Sequence, residues 1–238
     1  MKVCVVGNSH VAAIRSAWAE GSSPLTAHHV DFFAVARGDP AVAAGHLVVS
    51  GAATVHSTVG DRLDLSAYDA ILVSAVGNFA VRNQHPHPLL AMALPQWHCT
   101  LPKVSASVFR RCVRHGLGEF AWVSLALQIA EAARGRTYLQ PWPLPAPDVA
   151  ADPDWELGKL HGSGVAGVLS TYFKVQDEEL RDMLGSRGEV LPYPRQEWLD
   201  GGFTPAEFGT RDPWHMNAAY GRIVLQQLAD RLAPTDPR

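Results

Sequence analysis

The feature that most restricts how this chain can fold is a nearly unbroken apolar run, Ala70-Ile71-Leu72-Val73-Ser74-Ala75-Val76, bounded by Asp69 and by Gly77-Asn78. A strand with one wet face alternates apolar and polar residues. A strand without alternation is covered on both faces, as central strands of parallel sheets are. Val3-Cys4-Val5-Val6 repeats the pattern and ends at Gly7. Further strands are expected at Ala27 to Val35, Thr137 to Gln140 and Glu189 to Leu191. Helical patterns begin at Val11 and run over Ser105 to His115, Phe120 to Ala133, about Val165 to Leu184, and about Asn217 to Leu232. On the last of these, Tyr220, Ile223, Val224, Leu228 and Leu232 share one side. Strands alternating with helices predict a three-layer α/β/α sandwich around a central parallel sheet of about five strands, in one domain spanning residues 1–238. His46 to Val49 and Ala53 to Thr58 flank Ser50-Gly51-Ala52, which predicts a small edge hairpin turning at that tripeptide. Residues 83–102, rich in Pro and His, read as a long excursion with a short helix at Leu89 to Ala93.

Bulk properties exclude several classes of partner. The net charge is −3 with no basic run, so nothing marks the chain for nucleic acid or an anionic membrane. No apolar stretch reaches bilayer length, and Lys2 is followed by only four apolar residues before Gly7, which is not a signal-peptide pattern. The three cysteines Cys4, Cys99 and Cys112 form no CxxC, which favours reduced thiols and a cytoplasmic location.

In a parallel sheet every strand ends on the same edge, and ligands bind there. Gly7-Asn8-Ser9-His10 lies between the first strand and the first helix, so Ser9 is expected on that edge beside unpaired helix N–H groups. Read alone, such a serine is an ordinary helix cap. A serine becomes a nucleophile when a base takes its proton and a third group orients the base. Asp212-Pro213-Trp214-His215, just before the last helix, supplies both: His215 as base and Asp212 as its partner. No GxSxG elbow exists in the chain, which disfavours the α/β-hydrolase arrangement of the same chemistry.

GNSH at the first strand–helix turn, with DPWH and Asn217 opening the last helix, resembles the SGNH (GDSL-like) hydrolase superfamily. Asn8 stands where that family has Asp, and His10 where its lipolytic branch has Leu. The resemblance implies a flavodoxin-like fold of SGNH-hydrolase type and a catalytic set of Ser9, Asp212 and His215. It also implies an oxyanion hole of Ser9, Gly38 and Asn78. The family pattern Gly-x-Asn-Asp is replaced here by Val76-Gly77-Asn78-Phe79. Small acyl esters, often acetyl groups on carbohydrates, are the implied substrates, with no cofactor and an acyl-serine intermediate. A sugar O-acyltransferase would use the same triad, and a non-catalytic binding protein could retain the fold. Trp142 and Trp155 lie on loops near the predicted edge, where aromatic faces suit sugar rings or acyl chains.

Two rival motifs are weaker. Gly162-Ser163-Gly164-Val165-Ala166-Gly167 spells GxGxxG, but no hydrophobic strand precedes it, as a dinucleotide site requires. His85-Pro86-His87 places two imidazoles close together, with His98 and Cys99 not far along, but there is no HExxH, no CxxC and no third ligand at fixed spacing, so no metal site is expected.

Overall fold

A computed structural model of the chain describes residues 1–21, 23–77, 104–148, 164–212 and 215–233. The strands are β1 (Lys2–Gly7), β2 (His29–Ala43), β3 (His46–Ser57), β4 (Arg62–Asp64), β5 (Ala70–Val76), β6 (Arg136–Pro141) and β7 (Glu189–Val190). The helices are α1 (Val11–Ala19), α2 (Ala106–Glu119), α3 (Ala121–Ala132), α4 (Gly164–Leu184), α5 (Gln196–Gly201) and α6 (Ala218–Leu232). All strands join one sheet in the order β4-β3-β2-β1-β5-β6-β7. The expected sheet of about five strands is therefore corrected to seven among the described residues. Five of them, β2-β1-β5-β6-β7, are parallel; β3 and β4 extend the sheet in antiparallel pairing.

The apolar runs sit where their composition requires. Val3 to Val6 and Ala70 to Val76 are all fully buried, at the centre of one cluster of core residues. The β1–α1–β2 crossover leads one way along the sheet, while β5 to β6 and β6 to β7 lead the other. Helix α1 packs on α6, whereas α2, α3 and α4 pack on one another. The α1–α6 contact is unusually close: a Cβ on Gly221 would lie 2.2 Å from the Ala13 carbonyl oxygen. Along α6, Leu225 is also buried, beside the expected Tyr220, Val224, Leu228 and Leu232; Ile223 is partly covered.

The antiparallel half departs from expectation. β2 continues to Ala43, and the hairpin turns at Ala44-Gly45, both with positive φ (49° and 75°). That is the two-residue turn whose twist matches a hairpin. Ser50-Gly51-Ala52 is no turn; it lies inside β3, where pairing skips from Arg37↔Thr54 to Asp39↔Ser50. The sequence signal there was a bulge, which also breaks a strand pattern with glycine. Pro40 is tolerated in β2 because pairing with β1 stops at Ala34, leaving that side of the ribbon without a ladder partner.

The ribbon bends back. A straight β2 would carry Gly45 roughly 35 Å past the end of β1. Yet Leu65 N–H donates to the Gly45 carbonyl, and Asp69 N–H to that of Lys2 at the opposite end of β1. The short segment joining Leu65 to Asp69 spans at most about 14 Å. The irregular pairings on either side of Arg37 allow this reversal, and they bring Leu47, Leu63 and Leu65 into the core. Among the described residues no helix is long and apolar enough to cross a membrane.

Candidate functional site

The first turn begins where β1 leaves the sheet. Asn8 Oδ1 accepts the His10 N–H at 3.1 Å, and the carbonyls of Asn8 and Ser9 accept the N–H groups of Val11 and Ala12. This small turn starts α1 with Ser9 exposed at its tip.

The other half of the site is a loop held by hydrogen bonds to its own backbone. Thr210 N–H donates to the His215 carbonyl, His215 N–H to that of Asp212, and Thr210 Oγ1 to the same Asp212 oxygen. Asn217 fixes the exit of the loop. Its Oδ1 accepts the Ala219 and Tyr220 N–H groups and so caps α6, while Nδ2 donates to the carbonyls of Glu207 and Gly209.

These two pieces, 206 residues apart in sequence, meet side by side. Ser9 Oγ lies 2.9 Å from His215 Nε2, and His215 Nδ1 lies 2.8 Å from Asp212 Oδ2. A carboxylate only accepts, so Nδ1 carries the proton facing Asp212 and Nε2 is left to accept from the serine hydroxyl. The Asp212 and His215 side chains are 47% and 33% exposed, so the pair lies open to solvent-borne molecules. The arrangement can remove a proton from Ser9 and hold the resulting imidazolium beside a carboxylate.

Two features of the site were not visible in sequence. Ala75 has φ 56°, a left-handed conformation that costs a residue with a Cβ about 1–2 kcal/mol. It falls where pairing of β5 with β6 shifts between Val73 and Val76, beside the Gly7↔Ser74 pair. A bulge here re-aims the chain as it leaves the sheet next to Ser9. Ser74 Oγ inside it donates to buried Gln140 at 2.6 Å. The second feature is His10. It is buried, stacked on the His215 ring with centroids 5.0 Å apart, and met edge-on by Trp142 at 4.6 Å.

The remaining expected residues are placed as follows. Gly38 is not a turn after β2 but lies within it, at φ 111°, where a Cβ would fall 2.7 Å from Val49 Cγ1 and 3.0 Å from the Ser50 oxygen. The bent ribbon alone accounts for a glycine at this position. Trp142 is 6% exposed and packs between His10 and Phe120, so it offers a substrate almost no ring face. The reading of Trp142 as a substrate platform is corrected to a packing role. Asn78, Trp155, the excursion at 83–102 with its helix at 89–93, its histidines and Cys99 lie outside the described residues, as does the start of the GxGxxG stretch. Cys4 is no rival nucleophile: it is fully buried, and burial, then the charge of Asp31, push its thiol far above the usual range. No group of potential metal ligands occurs among the described residues.

Comparison with known proteins leaves the family open. No protein-family model matches the chain, and no curated protein does. Among solved structures, the chain is similar to that of a DUF4886 family protein from Bacteroides uniformis ATCC 8492, with 12% identity and a TM-score of 0.42, over 100% of this chain and 87% of the other. At that level of similarity neither fold nor activity is transferred.

Proposed function

We propose that this chain is a single-domain serine esterase of SGNH type, hydrolysing small acyl esters, acetyl esters of carbohydrates foremost. The observation that carries the reading is the continuous relay Ser9–His215–Asp212, with contacts of 2.9 and 2.8 Å. Two further features support it. The parallel strands follow the doubly wound order 2-1-3-4-5 when numbered among themselves, and Ser9 follows β1, where the winding reverses and such sheets bind ligands. With right-handed crossovers, helices α1 and α6 fall on one face and α2 to α4 on the other, which gives the flavodoxin-like three-layer form.

In this reading Ser9 Oγ attacks the ester carbonyl carbon as His215 Nε2 takes the hydroxyl proton. The Ser9 N–H donates to the developing oxyanion, with Asn78 as the second donor that the family pattern implies. Collapse of the tetrahedral intermediate breaks the bond to the alcohol oxygen, which leaves with the proton held on His215. Water then attacks the acyl-serine, giving its proton to His215, and a second collapse returns that proton to Ser9 Oγ as the acid departs. Asp212 holds the ring and balances its charge in both halves of the cycle.

The direct test is labelling with a fluorophosphonate, followed by mapping of the modified peptide. The expected adduct is on Ser9, absent from Ser9→Ala and strongly reduced in His215→Ala. Wild-type protein that takes up no label, or takes it up elsewhere, overturns the reading.

A further inference from the structure

The contacts of His215 described so far use only the edge of its ring. Asp212 holds Nδ1 and Ser9 meets Nε2, and both interactions allow the ring to rock about the line joining them. The face of the ring is occupied by His10, at 5.0 Å between centroids and 24° between planes. His10 cannot swing away, because it is buried and Trp142 stands across it at 67°. Trp142 in turn meets Phe120, the residue between α2 and α3, at 6.1 Å. A column of four rings thus joins the α2–α3 junction, the chain leaving β6, the start of α1 and the loop that carries His215. The column was not legible in the sequence, since its four residues are far apart along the chain.

We infer that His10 is a positioning residue for the base: its ring face fixes the plane of His215 and stabilises the imidazolium formed when Ser9 gives up its proton. This rests on the esterase reading for its catalytic consequence, but the effect on His215 itself does not. An aromatic face close to a cation stabilises it by electrostatic attraction to the ring. Removing the face therefore makes His215 a weaker base and leaves its plane less defined. Among the described residues, Asp212 on the same loop and Ser9 are hydrogen-bonded to the His215 ring, and the titratable ring stacked on it is His10, at the start of α1.

The test compares His10→Leu, which fills the slot without a ring face, with His10→Phe, which keeps the face and drops the imidazole. The primary readout is the titration of the His215 ring, followed by nitrogen-detected NMR in the full-length protein. Its pKa should fall by about half a unit to one unit in His10→Leu and stay near wild type in His10→Phe. In kinetics on p-nitrophenyl acetate, His10→Leu should lower kcat about tenfold with KM little changed, because alignment is lost rather than binding. The acid limb of its pH profile should move to lower pH, and His10→Phe should restore both. If His10→Leu does not fold, Trp142→Leu, which frees His10 from behind, should shift the His215 pKa in the same direction by less. A His215 pKa and a kcat unchanged in the leucine variant overturn the inference, as does a phenylalanine variant as impaired as leucine. If wild-type protein shows no ester turnover yet the NMR difference appears, the stack stands and the esterase reading falls.

Discussion

The two halves of the sheet use their sequences in opposite ways. In the parallel half, β1 and β5 are apolar nearly throughout because both faces are covered, and their ends deliver the chain to one edge, where Ser9 emerges. In the antiparallel half, β2 and β3 form a ribbon that must reverse direction. Its special residues, Gly38, Ala44, Gly45 and Gly51, all have positive φ and serve backbone shape. Glycines in both halves answer to a neighbouring segment: a Cβ on Gly7 would fall 2.9 Å from the Ser74 carbonyl oxygen, as one on Gly38 would fall 2.7 Å from Val49 Cγ1. What separates the halves is where they deliver the chain, to the site or around the ribbon, and the pairing pattern decides it.

The largest test of this contrast lies on the parallel side. Ser9→Ala should abolish hydrolysis of p-nitrophenyl acetate, by roughly 10⁴-fold or more, with an unchanged circular dichroism spectrum. His215→Ala should cost about as much, and the double variant little more, since the two act as a unit. Next in size, Asp212→Ala should lower kcat by about 10²–10⁴-fold, because base and nucleophile remain but the ring loses its anchor. Full activity in Ser9→Ala would remove the functional distinction between the two halves.

On the ribbon side the effects should fall on stability instead. Gly38→Ala forces a Cβ toward Val49 at an unfavourable φ, and should destabilise the fold by about 1–3 kcal/mol in urea titration. Activity of the folded fraction should change little. A kcat drop of roughly 10²–10³-fold at unchanged stability, the size expected for an oxyanion donor, would move Gly38 from the ribbon to the site. The smallest effect is a gain: Ala44→Asn places a residue suited to positive φ before Gly45 and should add about 0.5–1 kcal/mol.

How much of this was legible follows from the range of each interaction. Continuous burial left its mark on Val3 to Val6 and Ala70 to Val76 residue by residue, and capping and helical spacing marked α6. The Ser9, Asp212 and His215 set was readable because each member sits at a junction whose chemistry is local. The turn at Ala44-Gly45 was not, because alanine there is held in a left-handed conformation by the hairpin around it. Ser50-Gly51-Ala52 announced an irregularity without saying whether the chain turns or bulges, since glycine serves both. The ring column and the Ala75 bulge depend on strands and loops that meet only in the folded state.

The close contact between α1 and α6 has a consequence in time. Ser9 lies just ahead of α1 and His215 just ahead of α6, and the two are brought into register where Gly221 meets Ala13. A chain with its sheet complete but α6 undocked holds a serine hydroxyl with no base beside it. Whatever chemistry Ser9 performs with His215 therefore requires α6 to be docked on α1. On warming, that chemistry should fade when α6 lifts from α1, ahead of the collapse of the core, so the loss of turnover would time one helix letting go.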